Sequence, residues 1–517
     1  MAADPLVRRL LSAEAYPHPV ENVHLIETHI SWVFLTGHYV YKVKKPVDLG
    51  FLDFSTLAKR KHFCHEEVRL NRRFAPSLYL GVVPITGTAG EAMLGGDGEP
   101  SEWAVQLAAF DEACRLDTLL DTGSLSEGDC EQLAGEIAAV QQRLEVASME
   151  TDWGTAETVA NTIEMNLQQL CEHRDDVVQR SERLGEWVRE QVEKQREVFH
   201  RRRLTGRVRQ CHGDLHLANL VRHQGRFVAF DSIEFSELLR WIDVASDVAF
   251  LAMDLKSRGR GDLAGIVTSS WMEAANDHDA TAVLLIYQVY RAIVRSVIAA
   301  IRGTQPDANT HAAHTESDRY LDLAEQLATP KPAVLYATCG VSGSGKTTLA
   351  KQLVRAESAI HVRSDVERKR LFGMAPTDRP GSAEAAATLY AETATRQTYE
   401  RLADLATRIL RNGSSVVVDA ACTTRWQRAL LTNAARATGS HLVWLAPELS
   451  EGELLSRVEA RRQRNDDASD ASAAVVRQQL QHFEPLTDSE LASYPHTQLL
   501  RRPTTASAAS PIADSQT

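Results

Sequence analysis

Apolar and polar positions alternate with a period of two from Glu27 to Val43, on either side of the turn-forming Thr36-Gly37-His38. That pattern predicts two antiparallel strands joined by a tight turn. Ser55 to Phe74 shifts to helical spacing, and Val82 to Pro84 and Glu102 to Phe110 return to strand-like runs. Leu125 to Leu144 predicts a helix with Leu133, Ile137, Val140 and Leu144 on one face. Thr155 to Arg203 is helical but dense in Glu, Gln and Arg, which predicts a solvated helical hairpin. Strand-like Val208 to Cys211 and Arg226 to Phe230 flank a loop from His212 to Asn219, and Asp243 to Leu255 and Val283 to Arg302 predict closing helices.

The pattern changes after the polar stretch Gly303 to Ala313, a helix from Glu316 to Leu327 and the break Thr329-Pro330-Lys331-Pro332. From there short apolar runs recur: Ala333 to Ala337, Ile360 to Val362, Val416 to Val418 and Leu442 to Leu445. Runs of three to five mostly apolar residues separated by helical segments predict buried parallel strands. The chain therefore reads as an α+β domain over residues 1–325, an α/β domain with a parallel sheet over 326–502, and a disordered tail over 503–517 rich in Ser, Thr and Ala. The two halves share no motif and no internal repeat.

Composition narrows the classes. A chain of 517 residues exceeds what one core supports, and 44% hydrophobic with 24% charged residues is ordinary for a globular protein. The net charge of −12 and pI of about 5.9 disfavour a nucleic-acid or anionic-membrane surface. Seven scattered cysteines without a C-x-x-C spacing predict thiols in a reducing compartment, not a disulfide frame or zinc site. Met1 to Pro19 lacks the apolar core of a signal peptide, and the most apolar stretch, Tyr287 to Ile301, is interrupted by Arg291 and Arg295. No membrane span and a cytoplasmic location are expected.

The strongest chemistry lies at Gly340-Val341-Ser342-Gly343-Ser344-Gly345-Lys346-Thr347-Thr348, between a predicted strand and a predicted helix. This G-x-x-x-x-G-K-T order is a phosphate cradle. Its glycines, Gly340, Gly343 and Gly345, let successive N–H groups of the loop, Ser342 and Ser344 among them, turn inward. The helix N-terminus adds positive potential at the same place. Lys346 is expected on the β- and γ-phosphates of ATP, and the Thr347 hydroxyl on Mg²⁺, with Thr348 completing the cradle. Ser364-Asp365 follows the next strand, and Arg368 stands three residues beyond Asp365. That spacing suits Asp365 as a base for a hydroxyl acceptor and Arg368 as its clamp. Asp419 closes Val416-Val417-Val418 at a strand end, where it can hold Mg²⁺ through water or bind the acceptor. Arg457, Arg461 and Arg464 share a helix face suited to a phosphate-closing lid, with the lid tip at 466–471.

This layout resembles the small P-loop kinases around gluconate kinase, the zeta toxins and the polynucleotide 5′-kinases, over roughly residues 333 to 486. The spacing from Ser364-Asp365 to Arg368 and Val418-Asp419-Ala420 are most like the 5′-kinases. A mechanoenzyme of the AAA class is disfavoured, since only a short lid and tail follow.

The N-terminal half carries a second constellation. In His212-Gly213-Asp214-Leu215-His216-Leu217-Ala218-Asn219, an Asp on a tight loop with an Asn five residues on suits a proton acceptor beside a metal ligand. Asp231, at the end of Phe227 to Phe230, can complete the metal site. Lys42 sits in a strand, and Glu66 or Glu67 on the next helix can pair with it. At these residues the chain resembles the aminoglycoside phosphotransferase-like kinases, relatives of choline kinase and the protein kinases, over most of residues 25 to 300. The family loop H-G-D-x-x-x-x-N is matched by His212 to Asn219. The resemblance implies a bilobal protein-kinase-like fold, with Asp214 as catalytic base, Asn219 and Asp231 on metal, and Lys42 on the α/β-phosphates. It also implies that Asp247 braces the catalytic loop. Two features depart from it: Thr28 to Trp32 stands where a G-x-G-x-x-G loop would cover phosphate, and nothing between Leu125 and Arg203 matches an aminoglycoside site.

The sequence thus predicts a two-headed ATP- and Mg²⁺-dependent phosphotransferase acting on hydroxyl groups of small molecules. Its rivals are an ATP-binding regulatory protein with a non-transferring kinase-like sensor, and a nucleic-acid 5′-end kinase that the net charge disfavours.

Overall fold

The computed structural model describes residues 4–50, 52–305, 309–447, 449–464 and 473–502. The expected tail at 503–517 and lid tip at 466–471 lie outside the described residues. The chain divides into two compact units, Met1–Asp254 with Tyr290–Asp318, and Leu255–Val289 with Arg319–Thr517.

In the first unit, β2 (Ser31–Leu35) and β3 (Tyr39–Lys44) are the two antiparallel strands that the alternation predicts, and β1 (His24–Glu27) adds a third, antiparallel to β2. α1 (Leu57–Asn71) follows, with the Thr56 hydroxyl capping it by accepting from the Lys59 N–H. β4 (Tyr79–Thr86), β5 (Met93–Leu94) and β6 (Pro100–Ala108) complete a six-stranded antiparallel sheet in the order β1-β2-β3-β6-β4-β5. The register between β4 and β6 shifts at Tyr79 and Gly81. That irregularity breaks the period of two and explains why β4 runs beyond the expected Val82 to Pro84.

Pleating divides β3 by face. Tyr41 and Val43 pack with Phe34, Ile85, Leu94 and Ala104 on one side, under Val7, Leu10 and Tyr16 of the N-terminal segment. Lys42 and Lys44 therefore project to the other. Cys64 and Val68 of α1 join Leu78, Tyr79 and Val105 in a second cluster.

α2 (Glu127–Gln141) starts at a capping box of Ser126 and Asp129. The polar stretch after it forms α3 (Ala156–His173), α4 (Val178–Lys194) and α5 (Arg196–Leu204). The expected solvated hairpin is corrected here: Ile163, Leu167, Leu170, Leu184, Val188 and Val192 are buried, so only the outer faces are solvated. Window composition hides a narrow apolar stripe among many charges. β7 (Val208–Gln210) pairs antiparallel with β10 (Trp241–Asp243), and β8 (Leu220–His223) pairs antiparallel with β9 (Arg226–Ala229). α6 (Val244–Ser257) follows.

The expectation that no segment is long and apolar enough to cross a membrane is also corrected. Among the described residues, His278–Gly303 passes by length and composition despite Arg291 and Arg295, and 72% of its most apolar window is buried in the protein, as in a core helix.

The second unit holds a five-stranded parallel sheet in the order β12 (Ile360–Arg363), β13 (Val416–Asp419), β11 (Val334–Thr338), β14 (His441–Pro447) and β15 (Thr497–Arg502). Its α7 (Gly261–Ala275) lies N-terminal to the junction expected from sequence, and the division between the units falls within α8 (Thr281–Gly303) and within α9 (Thr310–Ala328). The sheet itself is β11 (Val334–Thr338), α10 (Lys346–Glu357), β12 (Ile360–Arg363), α11 (Ser364–Leu371), α12 (Glu392–Arg411), β13 (Val416–Asp419), α13 (Arg425–Thr438), β14 (His441–Pro447), α14 (Glu451–Arg464), α15 (Ala473–Gln481) and β15 (Thr497–Arg502).

β12 is an edge strand, and α7 covers it. The Ser269 hydroxyl accepts from the His361 N–H at 2.9 Å. Gly265 lets α7 approach α10 closely, since a Cβ there would lie 2.5 Å from the Val354 carbonyl oxygen. The strands of such a sheet end towards one edge, where ligands gather.

Candidate active sites

In the first unit, Lys42 Nζ lies 3.0 Å from Glu67 Oε1 and also contacts Asp231. Of the two glutamates the sequence left open, Glu67 takes the lysine, while Glu66 pairs with Arg69 at 2.8 Å. The helical period explains the choice, because Cys64, Glu67, Val68 and Asn71 share the buried face of α1. Lys44, two residues on and pointing the same way, contributes a second cation that the motif reading missed. Its Nζ lies 2.7 Å from Glu67 Oε2, contacts Glu234, and stands over the Phe54 ring.

Burial raises the Glu67 carboxyl, but Lys42 and Lys44 outweigh that and hold it at about 2. Burial pushes Glu234 up; Lys44 opposes this and the like charge of Glu67 reinforces it. Lys42 and Lys44 resist desolvation through these carboxylates and rise above the usual lysine range. The period of two in Lys42-Val43-Lys44 was a visible signal for the second lysine. Nothing in Ser232-Ile233-Glu234 signalled the third carboxylate.

The loop between β7 and β8 holds Asp214. Gly213 has φ +87°, and a Cβ there would lie 2.7 Å from the Leu239 carbonyl oxygen, so only glycine fits. Asp247, at the start of α6, accepts from the His212 and Gly213 N–H groups, both at 2.9 Å. Asp254 accepts from the Leu217 N–H at 3.0 Å, a second brace that the motif reading missed. Asn219 Nδ2 donates to both the backbone oxygen and Oδ2 of Asp214 at 3.0 Å.

Burial raises the Asp214 carboxyl, but His216, with Nε2 3.4 Å away, holds it well below the usual carboxylate range. At neutral pH it is a carboxylate able to accept a proton. Asp231 adopts a left-handed φ of +63°, and its N–H donates to the Tyr79 hydroxyl at 3.0 Å. A magnesium ion takes oxygen donors and keeps several waters. Asp231 retains a carboxylate oxygen beyond its Lys42 contact, and Asn219 retains its amide oxygen, so this donor set fits. Among the described residues no group of three or more His, Cys, Asp or Glu is placed to hold a metal ion.

In the second unit, Gly340, Gly343 and Gly345 have φ of +154°, +85° and +90°, shaping the loop before α10. The Gly340 N–H donates to Ala421 O at 2.8 Å, tying the loop to the end of β13. Lys346 Nζ donates to Val341 O at 2.7 Å. Ser342, Gly343, Gly345, Lys346, Thr347 and Thr348 border a cavity of about 950 Å³, and Asp365, Arg368, Asp419 and Arg457 face it from other elements. Ser344 is placed differently: its hydroxyl is buried without a hydrogen-bond partner, beneath Gly340. The side chain of Arg461 lies outside the described residues.

Asp365 sits in the first turn of α11. Burial raises Asp419, but His361 at 3.3 Å, with Lys346 and Arg363, outweighs it and holds the carboxyl at about 2. The Thr347 hydroxyl and the Asp419 carboxylate are again hard oxygen donors, which suits magnesium. Sequence reading missed Gln479 of α15, whose Oε1 accepts from the Ser342 N–H at 2.7 Å. It also missed the apolar docking of Val341 on Leu454, Val458 and Val476.

Residues 335–486 match the family model AAA_33, described as an AAA domain. That match covers the P-loop core and ends before β15; its name is shared with the AAA class that the sequence reading set aside as mechanoenzymes. An uncharacterized protein of Mycobacterium tuberculosis is 29% identical over 467 residues, covering 89% of this chain and 91% of its own length. The choline kinase of Cryptosporidium parvum aligns over 59% of this chain and 89% of its own at 12% identity, with a TM-score of 0.38. A gluconokinase of Sinorhizobium meliloti aligns over 34% of this chain and 87% of its own at 20% identity, with a TM-score of 0.22. The N-terminal part of the chain combines a six-stranded antiparallel sheet with helices, and the C-terminal part, where the family model matches, is a P-loop domain on a five-stranded parallel sheet.

Proposed function

We propose that the protein is an ATP-dependent phosphotransferase with two nucleotide sites, each passing the γ-phosphate to a hydroxyl group of a small molecule. The observation that carries this reading is that each unit assembles its own lysine and carboxylates: Lys42 with Glu67 and Asp231, and Lys346 beside Asp419 across one cavity.

In the first unit Lys42 draws the α/β-phosphates towards the sheet, and Glu67 holds its ammonium in place. Asp214 takes the acceptor hydroxyl proton, and the Asn219 amide fixes the carboxylate that receives it. In the second unit the loop amides and Lys346 cradle the triphosphate, and Asp365 takes the acceptor proton. Magnesium, held by Asn219 and Asp231 in one site and by Thr347 and Asp419 in the other, would offset charge on the phosphate oxygens. The printed names of the choline kinase and the gluconokinase support small-molecule alcohols as acceptors.

ATP turnover by the full chain tests the proposal. Asp214→Ala and Lys346→Ala should each remove one component of turnover, and the double variant should remove both. Normal turnover by the double variant would overturn it. One observation favours a second reading, a non-transferring sensor: the turn between β1 and β2 is closed by the Thr28 hydroxyl on Ser31, with no glycine-rich cover. Under that reading Asp214→Ala leaves turnover unchanged while Lys42→Ala weakens nucleotide binding.

A further inference from the structure

His361 belongs to none of the motifs, yet it stands directly behind one of the two proposed magnesium donors of the second unit. It is 8% exposed, and its Nε2 lies 3.3 Å from Asp419 Oδ2. A carboxylate only accepts hydrogen bonds, so the ring nitrogen that faces it carries the proton. The sheet makes this pairing possible. In the parallel register of β12 on β13, Arg363 stands opposite Asp419 and His361 opposite Val417. Side chains two residues apart along a strand share a face, so His361 and Asp419 lie on the same side of the sheet.

The histidine is itself held from outside the P-loop core. Its backbone N–H is taken by the Ser269 hydroxyl of α7, a helix that precedes the residues 335–486 matched by the family model. Asp419, in contrast, lines the cavity together with Lys346 and Thr347. Among the described residues His361 gives the Asp419 side chain its one hydrogen bond, on Oδ2, and Oδ1 is left for the cavity. A carboxylate tied by one oxygen cannot turn freely, so it presents the other in a fixed direction. Magnesium demands near-ideal octahedral geometry, and a hydrogen bond that fixes a ligating group is worth about 10–100-fold in metal affinity.

We infer that His361 is a positioning residue for magnesium in the second unit: its Nε2–H holds Oδ2 of Asp419, leaving Oδ1 to the metal or to one of its waters. This rests on the nucleotide reading of the same cavity. It extends that reading to a residue that touches neither nucleotide nor metal, and it decides between the two partners, magnesium and acceptor, that the sequence allowed Asp419.

The test is calorimetric titration of a non-hydrolysable ATP analogue, once in excess magnesium and once in excess EDTA. The full chain carries Lys42→Ala throughout, so that the heat comes from the second unit, and Lys42→Ala with Lys346→Ala is the blank. The quantity read is the gain in affinity that magnesium gives. His361→Leu should cut that gain about tenfold or more while leaving the affinity in EDTA within twofold. His361→Gln, which keeps an N–H where Nε2 stood, should retain most of it. Asp419→Asn should lose the gain as well, and adding His361→Leu to it should cost nothing further. His361→Asn, too short to reach Oδ2, replaces the leucine variant if that one does not fold. An undiminished gain in His361→Leu, an equal loss with and without magnesium, or additive losses in the double variant would each overturn the assignment. Heat from the parent in both conditions with equal affinity overturns this inference alone, whereas no heat in either overturns the nucleotide reading and this inference with it.

Discussion

Asp247→Asn is the sharpest probe of the first site, because it changes one carboxylate oxygen to an NH₂ group behind the loop that carries Asp214. The carboxylate is 1% exposed and accepts two backbone N–H groups, from His212 and Gly213, both at 2.9 Å. A charge-assisted bond of this kind contributes about 1.5–3 kcal/mol. Asparagine keeps one acceptor oxygen but turns an NH₂ towards the other N–H, leaving a buried donor facing a donor. That loss and the stranded N–H together cost about 3 kcal/mol. The loop cannot relax easily, since Gly213 is already at φ +87° against Leu239.

About half of that cost, taken up as a shifted Asp214, amounts to about a tenfold fall in turnover at 1.36 kcal/mol per tenfold. The assay is ATP turnover in a Lys346→Ala background, which silences the second site, together with urea unfolding. A variant with turnover within twofold of its parent and an unchanged unfolding midpoint would refute the bracing argument. Loss of stability with full turnover would refute only its link to Asp214.

Glu67 should make the first unit acid-sensitive. Its folded value of about 2 lies below the ordinary 4.5, so its contribution is complete above pH 4.5 and is lost as pH falls towards 2. Urea unfolding across that window should show the slope in wild type and a flatter one in Glu67→Gln, which is also less stable at neutral pH by about 3–5 kcal/mol; parallel slopes would contradict the assignment. Gly343→Ala should loosen the lid. Its φ is +85°, and a Cβ there would lie 2.8 Å from Val458 Cγ2 and 2.9 Å from Leu454 O. The combined strain and overpacking amount to about 2–4 kcal/mol, read as a lower melting temperature and weaker analogue binding; an unchanged melting curve would refute the close docking.

Much of both sites was legible in sequence because their key residues are local. The cradle from Gly340 to Thr348 and the loop from His212 to Asn219 are short segments whose geometry depends on glycine torsions and on adjacent hydrogen bonds. The strand and helix flanking the first of these, and the strand before the second, follow from the apolar pattern. What escaped was carried by contacts distant in the chain: Glu234 on Lys44, Asp254 on Leu217, Gln479 on Ser342 and Tyr399 on Cys422. No spacing rule links such pairs.

By itself, the order of residues marked two glycine-bearing loops as candidate sites, placed Lys42, Asp214 and Asp231 with one and Lys346, Asp365 and Asp419 with the other, and put the second on a parallel sheet. Only the tertiary structure decided that Glu67 and not Glu66 meets Lys42, that Lys44 shares it, and that Arg368 is buried against Leu389 and Thr395. The division has one physical cause. Backbone torsion and hydrophobic period are set by neighbours along the chain, whereas desolvation and charge pairing depend on whatever the fold brings within a few ångströms.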